Sequence, residues 1–114
     1  MSAWFNGVSV AHADPWLSRA LHYGDGVFRT CLNMHGQIID IDMHADIASA
    51  DAERLQIQVP PHRLKQALAL AGDIDKAILK LLVSRRPAGR GYAGEGSEAD
   101  ILVTRHAAPS WPIA

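Results

Sequence analysis

Cysteine, lysine and aromatic residues are all scarce in this sequence of 114 residues. Because Cys31 is the single cysteine, no disulfide can form within the chain, which is typical of proteins from a reducing cytoplasm. The few aromatic side chains are not interleaved with basic residues, and the formal net charge is −1. We therefore expect no nucleic-acid partner.

Long apolar segments and targeting features are missing as well. The longest apolar stretch, residues 77–83, is interrupted by Lys80 and is too short to cross a bilayer. The N-terminus lacks the basic region of a signal peptide, so we expect a cytoplasmic protein with no membrane partner. The six histidines do not show the spacing of a zinc-binding helix, so no metal site is expected.

The hydrophobic pattern predicts an α+β domain with a small, mostly antiparallel sheet and two helices. The predicted strands cover residues 4–10 (a hairpin around Asn6-Gly7), 27–32, 37–41, 76–85 and 100–105. The strand at 76–85 is apolar on both faces in its middle, which favours a central position in the sheet. Residues 1–106 are expected to form the domain, and the proline-rich 107–114 an interdomain linker or the start of a further domain.

Two helices are predicted between the strands at 37–41 and 76–85. The first begins near Asp42 or His44 and presents apolar side chains of Ile47, Ala50 and Leu55 on roughly one face. Pro60-Pro61 ends that segment and can start the second helix. The second helix is predicted to stop at Gly72, and its expected buried residues are Leu64, Ala67, Leu68 and Ala71.

Arginine supplies the best candidates for ligand binding. Arg85, Arg86 and Arg90 lie in or beside a glycine-rich loop at 87–96, and guanidinium groups bind carboxylates or phosphates through paired donors. Glycines flank Arg90, so the backbone there can bend around a ligand. The alternative is that these arginines only belong to a solvated surface loop and bind no ligand.

Catalytic groups are harder to find. A buried lysine has a lowered pKa and can act as a Schiff-base nucleophile, and Lys80 interrupts an apolar strand. The competing interpretation is that the long side chain of Lys80 reaches solvent. Cys31 lies within a strand and is expected in the core. By itself, the Gly24-Asp25-Gly26 run indicates a tight turn. We predict no catalytic residue in this chain.

Several motifs, taken in order, resemble the N-terminal domain of the fold-type IV pyridoxal-phosphate enzymes, the class IV aminotransferase family. The resemblance covers nearly the whole chain, and the Tyr-Gly-Asp-Gly-Val-Phe run at 23–28 is its most specific part. Within the family, the Gly-Arg-Gly-Tyr run is most similar to 4-amino-4-deoxychorismate lyase. The matching segments are 5–7, 18–28, His44, 54–55, 79–85 and 89–92.

The resemblance implies a function and a cofactor. A complete lyase of this kind uses pyridoxal phosphate to form 4-aminobenzoate and pyruvate in folate biosynthesis. The Schiff-base lysine of the family belongs to a C-terminal domain that this chain lacks, so we expect the chain alone to be inactive and to bind no cofactor. The alternatives are a fragment of a branched-chain or D-amino-acid aminotransferase, or a non-catalytic binding or interaction domain.

The resemblance also implies residue roles. Phe28 matches an aromatic residue that lines the substrate pocket, and Arg90 and Tyr92 match loop positions that bind the carboxylate of a small-molecule substrate. The cofactor-binding residues of this chain stay unknown. A domain that has lost its partner domain exposes apolar surface, so self-association into a homo-oligomer is expected.

Three positions depart from the family pattern. The family places an arginine, which holds the cofactor phosphate, three residues after the helix-start histidine, and Ile47 stands there. Arg54 lies two turns further along, about 10 Å away by helix rise, and is not an obvious replacement. Arg86 stands where relatives often have glycine, and Arg29 where many have glutamate or threonine.

Overall fold

The computed structural model describes residues 2–11, 26–86 and 98–108. Within these ranges the elements are β1 (Ser2–Phe5), β2 (Val8–Val10), β3 (Gly26–Met34), β4 (Gln37–Ile38), α1 (Ile41–Arg54), α2 (Pro61–Leu70), β5 (Ala77–Arg85) and β6 (Ala99–Ala107). The predicted α+β class is confirmed. The whole of the predicted glycine-rich loop at 87–96 and most of the segment at 107–114 lie outside the described residues, as does the turn before Gly26.

The strands form one antiparallel sheet in the order β2-β1-β6-β5-β3-β4. As predicted, β5 is central, with β6 on one side and β3 on the other. At the outer side of β3, the short β4 pairs only with Asn33 and Met34. Residues 26–32 therefore form an edge of the sheet within the described part of the chain.

Tight turns with left-handed backbone join the outer strands. Asn6 and Gly7 have φ angles of 51° and 82°, which confirms the predicted Asn-Gly hairpin. His35 and Gly36 repeat this geometry between β3 and β4, with φ angles of 52° and 80°. Asn and Gly tolerate this conformation best, so the hairpin positions follow from the sequence.

The helices cover one face of the sheet and enclose the main core. The second helix buries Leu64, Ala67 and Leu68 as predicted, and Pro61 stands in its first turn. Beneath it, Leu79, Leu81 and Val83 project from β5 into the same core. These three alternate along the strand, so the residues between them project from the opposite face.

The predicted core face of the first helix is wrong. The buried residues of α1 are Ala45, Ala48 and Ala52, whereas Ala50 and Leu55 are exposed. Small alanine side chains at spacings of three and four let the helix lie close to the sheet. The predicted strand over 37–41 is also too long. Asp40 adopts a left-handed conformation with φ of 55°, which ends the extended segment and lets Ile41 begin the helix.

Candidate functional site

Phe28 lies on the sheet face opposite the helices, where an apolar row crosses five strands. The register joins Phe28 to Leu82, Leu82 to Leu102, Leu102 to Phe5, and Phe5 to Val8. Leu82 and Leu102 are buried in the middle of the row, whereas its ends, Phe28 and Val8, are 53% and 65% exposed. An exposed phenyl ring at a sheet edge offers apolar surface to a ligand.

The arginines of the predicted loop have different roles. Arg86 donates from Nε to Asp100 Oδ1 at 2.8 Å and from Nη1 to Glu98 Oε2 at 2.8 Å. Its backbone N–H also donates to the Glu98 carbonyl, so Arg86 and Glu98 close the base of the segment 87–97. The Asp100 hydrogen bond raises the pKa of the Arg86 guanidinium. Arg85 donates to the backbone carbonyls of Leu55 and Gln56.

These contacts narrow the candidates for a ligand-binding arginine. Arg85 and Arg86 both bind other parts of the fold, so Arg90 is the candidate of the three for which the structure shows no such role. Arg90 and Tyr92 lie outside the described residues, so their predicted roles stay predictions.

Asn6 adds a second anchor at the base of the segment 87–97. It donates to Asp100 Oδ1 at 3.1 Å and accepts from the backbone N–H of Ile101 at 2.7 Å.

A guanidinium–imidazole pair, which no sequence pattern predicts, joins β3 to the start of α1. Arg29 donates to Nδ1 of His44 from Nε at 3.1 Å, and its Nη2 lies 3.0 Å from the same atom. A guanidinium has no acceptor, so Nδ1 must be unprotonated and the neutral imidazole carries its proton on Nε2. Both side chains are partly buried.

Acid is expected to destabilise the domain through His44. Burial, and then the Arg29 charge, lower the pKa of His44 from its ordinary value of 6.5, although Asp40 acts in the opposite direction. The unfolded chain then binds more protons, so this contribution to the free energy of unfolding is complete above pH 6.5 and is lost as the pH falls through the folded-state pKa. His44→Gln should weaken this pH dependence.

Urea unfolding at a series of pH values measures this effect, with the exposed His62→Gln as the matched control. Some dependence should persist in His44→Gln, because burial and Lys80 lower the pKa of His106 as well. An unchanged pH dependence in His44→Gln would contradict the assignment.

Within the described residues, no group of three or more His, Cys, Asp or Glu side chains is placed to hold a metal ion. No helix in those residues is long and apolar enough to cross a membrane.

Comparison with known proteins connects this geometry to one group of enzymes. No family model matches the sequence. The aminodeoxychorismate lyase of Vibrio harveyi is 32% identical over 101 residues, which cover 87% of this chain and 37% of that protein. The solved 4-amino-4-deoxychorismate lyase of Pseudomonas aeruginosa has a TM-score of 0.72 at 27% identity, over 96% of this chain and 41% of that one.

The solved branched-chain aminotransferase of Escherichia coli has a TM-score of 0.70 at 20% identity and covers 96% of this chain and 40% of that chain. At that identity the likeness shows the fold alone. This chain has the fold of the class IV aminotransferase N-terminal domain. It spans about two fifths of the relatives it matches, and is homologous to aminodeoxychorismate lyase over that part.

None of the three lysines of this chain is placed as a buried nucleophile. Lys80 is exposed on the face opposite the helices, which favours the interpretation that it reaches solvent. The Nζ atom of Lys65 lies 3.1 Å from Asp42 Oδ1, and Lys76 is exposed. Cys31 is buried in the core as predicted, and burial raises the pKa of its thiol to about 11. A thiol with that pKa is not a nucleophile at neutral pH.

The structure also locates the departures from the class IV pattern. Ile47 lies one turn after His44 on α1 and is partly exposed, and its side chain has no hydrogen-bond donor. Arg54 at the end of that helix is 82% exposed and lies 3.7 Å from Asp51.

Proposed function

We propose that this chain is the N-terminal part of a pyridoxal-phosphate-dependent lyase that converts 4-amino-4-deoxychorismate to 4-aminobenzoate and pyruvate. The observation that carries the proposal is the 32% identity to the aminodeoxychorismate lyase of Vibrio harveyi over most of this chain. The identity to the Pseudomonas aeruginosa lyase, 27%, also exceeds the 20% to the Escherichia coli aminotransferase. As part of this proposal, the complete enzyme is a homo-oligomer.

The chain would supply the substrate-binding side of the active site. The exposed ring of Phe28 offers an apolar surface for the ring of the substrate. Arg90 would bind a substrate carboxylate through paired donors, assisted by Tyr92. The Arg86–Glu98 and Arg86–Asp100 contacts would fix both ends of the segment that carries them.

The cofactor chemistry would depend on the rest of the enzyme. One of the solved aminotransferases that share this fold contains pyridoxamine 5'-phosphate, a form of the same cofactor. When bound, pyridoxal phosphate supplies an electron sink for bond cleavage next to an amine-bearing carbon. It needs a lysine nucleophile of lowered pKa. Because Lys80 is exposed and Lys65 is ion-paired, we expect the 114-residue chain to form no covalent adduct with the cofactor and to have no lyase activity.

A branched-chain aminotransferase is the second candidate, supported by the fold likeness to solved aminotransferases. The two activities consume different substrates, so they separate in a direct assay. The lyase releases 4-aminobenzoate from aminodeoxychorismate, whereas the aminotransferase transfers the amino group of a branched-chain amino acid to a keto acid. A protein with neither activity would be a non-catalytic binding domain.

Both assays should use the protein encoded by the whole reading frame that carries this chain. We expect release of 4-aminobenzoate and expect Arg90→Ala to raise KM about 10- to 100-fold, since a charge-assisted hydrogen bond contributes about 1.5–3 kcal/mol. The matched control is the exposed Arg54→Ala, which should keep KM unchanged. Transamination without lyase activity would overturn the proposed reaction, and an unchanged KM in Arg90→Ala would overturn the role of that arginine.

A further inference from the structure

The Arg29 guanidinium has used only one of its two hydrogen-bonding edges. The edge formed by Nε and Nη2 faces Nδ1 of His44 at 3.1 and 3.0 Å. A guanidinium carries five N–H groups, so the edge formed by Nη1 and Nη2 keeps its donors. No described residue accepts a hydrogen bond from that second edge. Two parallel N–H groups at such an edge match two oxygens of a phosphate or carboxylate.

Arg29 also makes no ion pair with a described carboxylate. Every described ion pair of the other arginines involves a carboxylate, whereas the partner of Arg29 is a neutral imidazole. His44 accepts the guanidinium and thereby orients it, but it cannot neutralise it. A partly buried cation that is held in one orientation and makes no ion pair is suited to an anionic ligand.

The Arg29 guanidinium lies beside His44, one helical turn before position 47. Residues 44 and 47 lie on one face of α1, one helical turn apart. Long side chains on a helix point back toward its N-terminus, so an arginine at 47 would extend toward His44. The guanidinium found beside His44 instead comes from β3. The donor that Ile47 lacks is thus present, delivered from a different element.

The sheet edge places this donor beside the substrate-facing side of the domain. Phe28 and Arg29 are consecutive residues of β3, so their side chains project from opposite faces. Because β4 pairs only with Asn33 and Met34, no described strand covers β3 at these two residues. The ring of Phe28 and the guanidinium of Arg29 therefore lie on the two faces of one sheet edge.

We propose that Arg29, oriented by His44, binds the phosphate group of the cofactor in place of an arginine at position 47. The proposal rests on the proposed function, because that function supplies the phosphate-bearing ligand. Arg29 holds the anion directly, and His44 is a positioning residue. The residues present therefore fit a pyridoxal phosphate cofactor despite Ile47.

Ligand binding to the protein encoded by the whole reading frame that carries this chain tests this without turnover. The probes are inorganic phosphate, pyridoxal 5'-phosphate and pyridoxal, and the readouts are titration calorimetry and the ¹⁵N shift of the Arg29 Nε. We expect both phosphate-bearing probes to move the Arg29 signal and pyridoxal to leave it in place. Arg29→Thr should weaken binding of pyridoxal 5'-phosphate about 10-fold or more, as for loss of a charge-assisted pair.

A rescue variant separates a binding role from a structural one. The double variant Arg29→Thr, Ile47→Arg should recover most of the lost affinity, because the guanidinium returns to the same place from the helix. The Arg29→Lys variant should bind pyridoxal 5'-phosphate with intermediate affinity, since lysine keeps the charge but lacks the two parallel N–H donors. Circular dichroism confirms folding of each variant, and Arg54→Gln is the matched arginine control.

Two results would overturn the assignment. One is equal affinity for pyridoxal 5'-phosphate in Arg29→Thr and the unsubstituted chain. The other is a failure of phosphate to move the Arg29 signal. Either result can occur in an enzyme with full lyase activity, so failure of this site and failure of the proposed reaction are distinguishable.

Discussion

Replacing Asn33 with aspartate is expected to lower the free energy of unfolding by about 3–5 kcal/mol, the range for an uncompensated buried charge. Asn33 lies in β3 and is 0% exposed. Its Nδ2 donates to the backbone carbonyls of Asp73 at 2.6 Å and Asp75 at 2.9 Å, which holds the connection between α2 and β5. A carboxylate there would place oxygen against two carbonyl oxygens with no solvent to compensate.

The matched control is Asn33→Ala, which removes both donors without adding a charge. It should cost about 1–2 kcal/mol, because the Asp75 carbonyl loses its side-chain donor, whereas the Asp73 carbonyl keeps the Gly36 N–H. Urea unfolding followed by circular dichroism measures both variants, and a change in midpoint at constant slope indicates lost stability. If aspartate costs no more than alanine, the amide does not donate to both carbonyls.

Gly26→Ala is expected to destabilise the domain by about 2–3 kcal/mol, the cost of overpacking against backbone. A Cβ atom at Gly26 would lie 2.7 Å from the carbonyl oxygen of Val83 and 3.4 Å from the Cα of Ser84. Both belong to β5, the neighbouring central strand, so neither can move without shifting the sheet. The same shift would displace Phe28, two residues further along β3.

Gly72→Ala is the matched control for this substitution. There the Cβ atom would lie 3.3 Å from the Ala69 carbonyl oxygen, a contact that a small adjustment relieves. The reduced entropy of the unfolded chain offsets part of the free-energy cost of that adjustment. The free energy of unfolding should therefore change by no more than about 1 kcal/mol. Thermal unfolding of both variants gives the comparison. Equal stability of the two variants would mean that β3 and β5 lie further apart at Gly26.

The close contact at Gly26 also refines a motif seen in the sequence. Gly24-Asp25-Gly26 taken alone indicates a turn, and the pattern contains no reason why the last position must be glycine. The structure supplies that reason as the close approach of two strands, since Gly26 is paired with Ser84 inside the sheet. Such a contact joins residues that are far apart in the chain, so no local pattern contains it.

Much of the fold follows from local patterns. Asn6-Gly7 and His35-Gly36 adopt the positive φ angles that short turns need, and Pro61 starts the second helix. The apolar middle of β5 indicates its central position. The buried face of the first helix could not be predicted from local patterns, because that face is made of alanines. Alanine is compatible with burial and exposure alike, so periodicity could not identify that face.

Sequence patterns alone were sufficient for the α+β class, the hairpin turns, the order of the elements and the resemblance to class IV enzymes. The class, the turns and the order of the elements depend on residues close together in the chain, whose backbone preferences act locally. The resemblance depends on matching motifs along the chain. Two contacts required the folded domain, namely the closure of a loop base by Arg86 and Glu98 and the position of Arg29 beside His44. They depend on strand register and helix placement, which the packing of the whole domain sets.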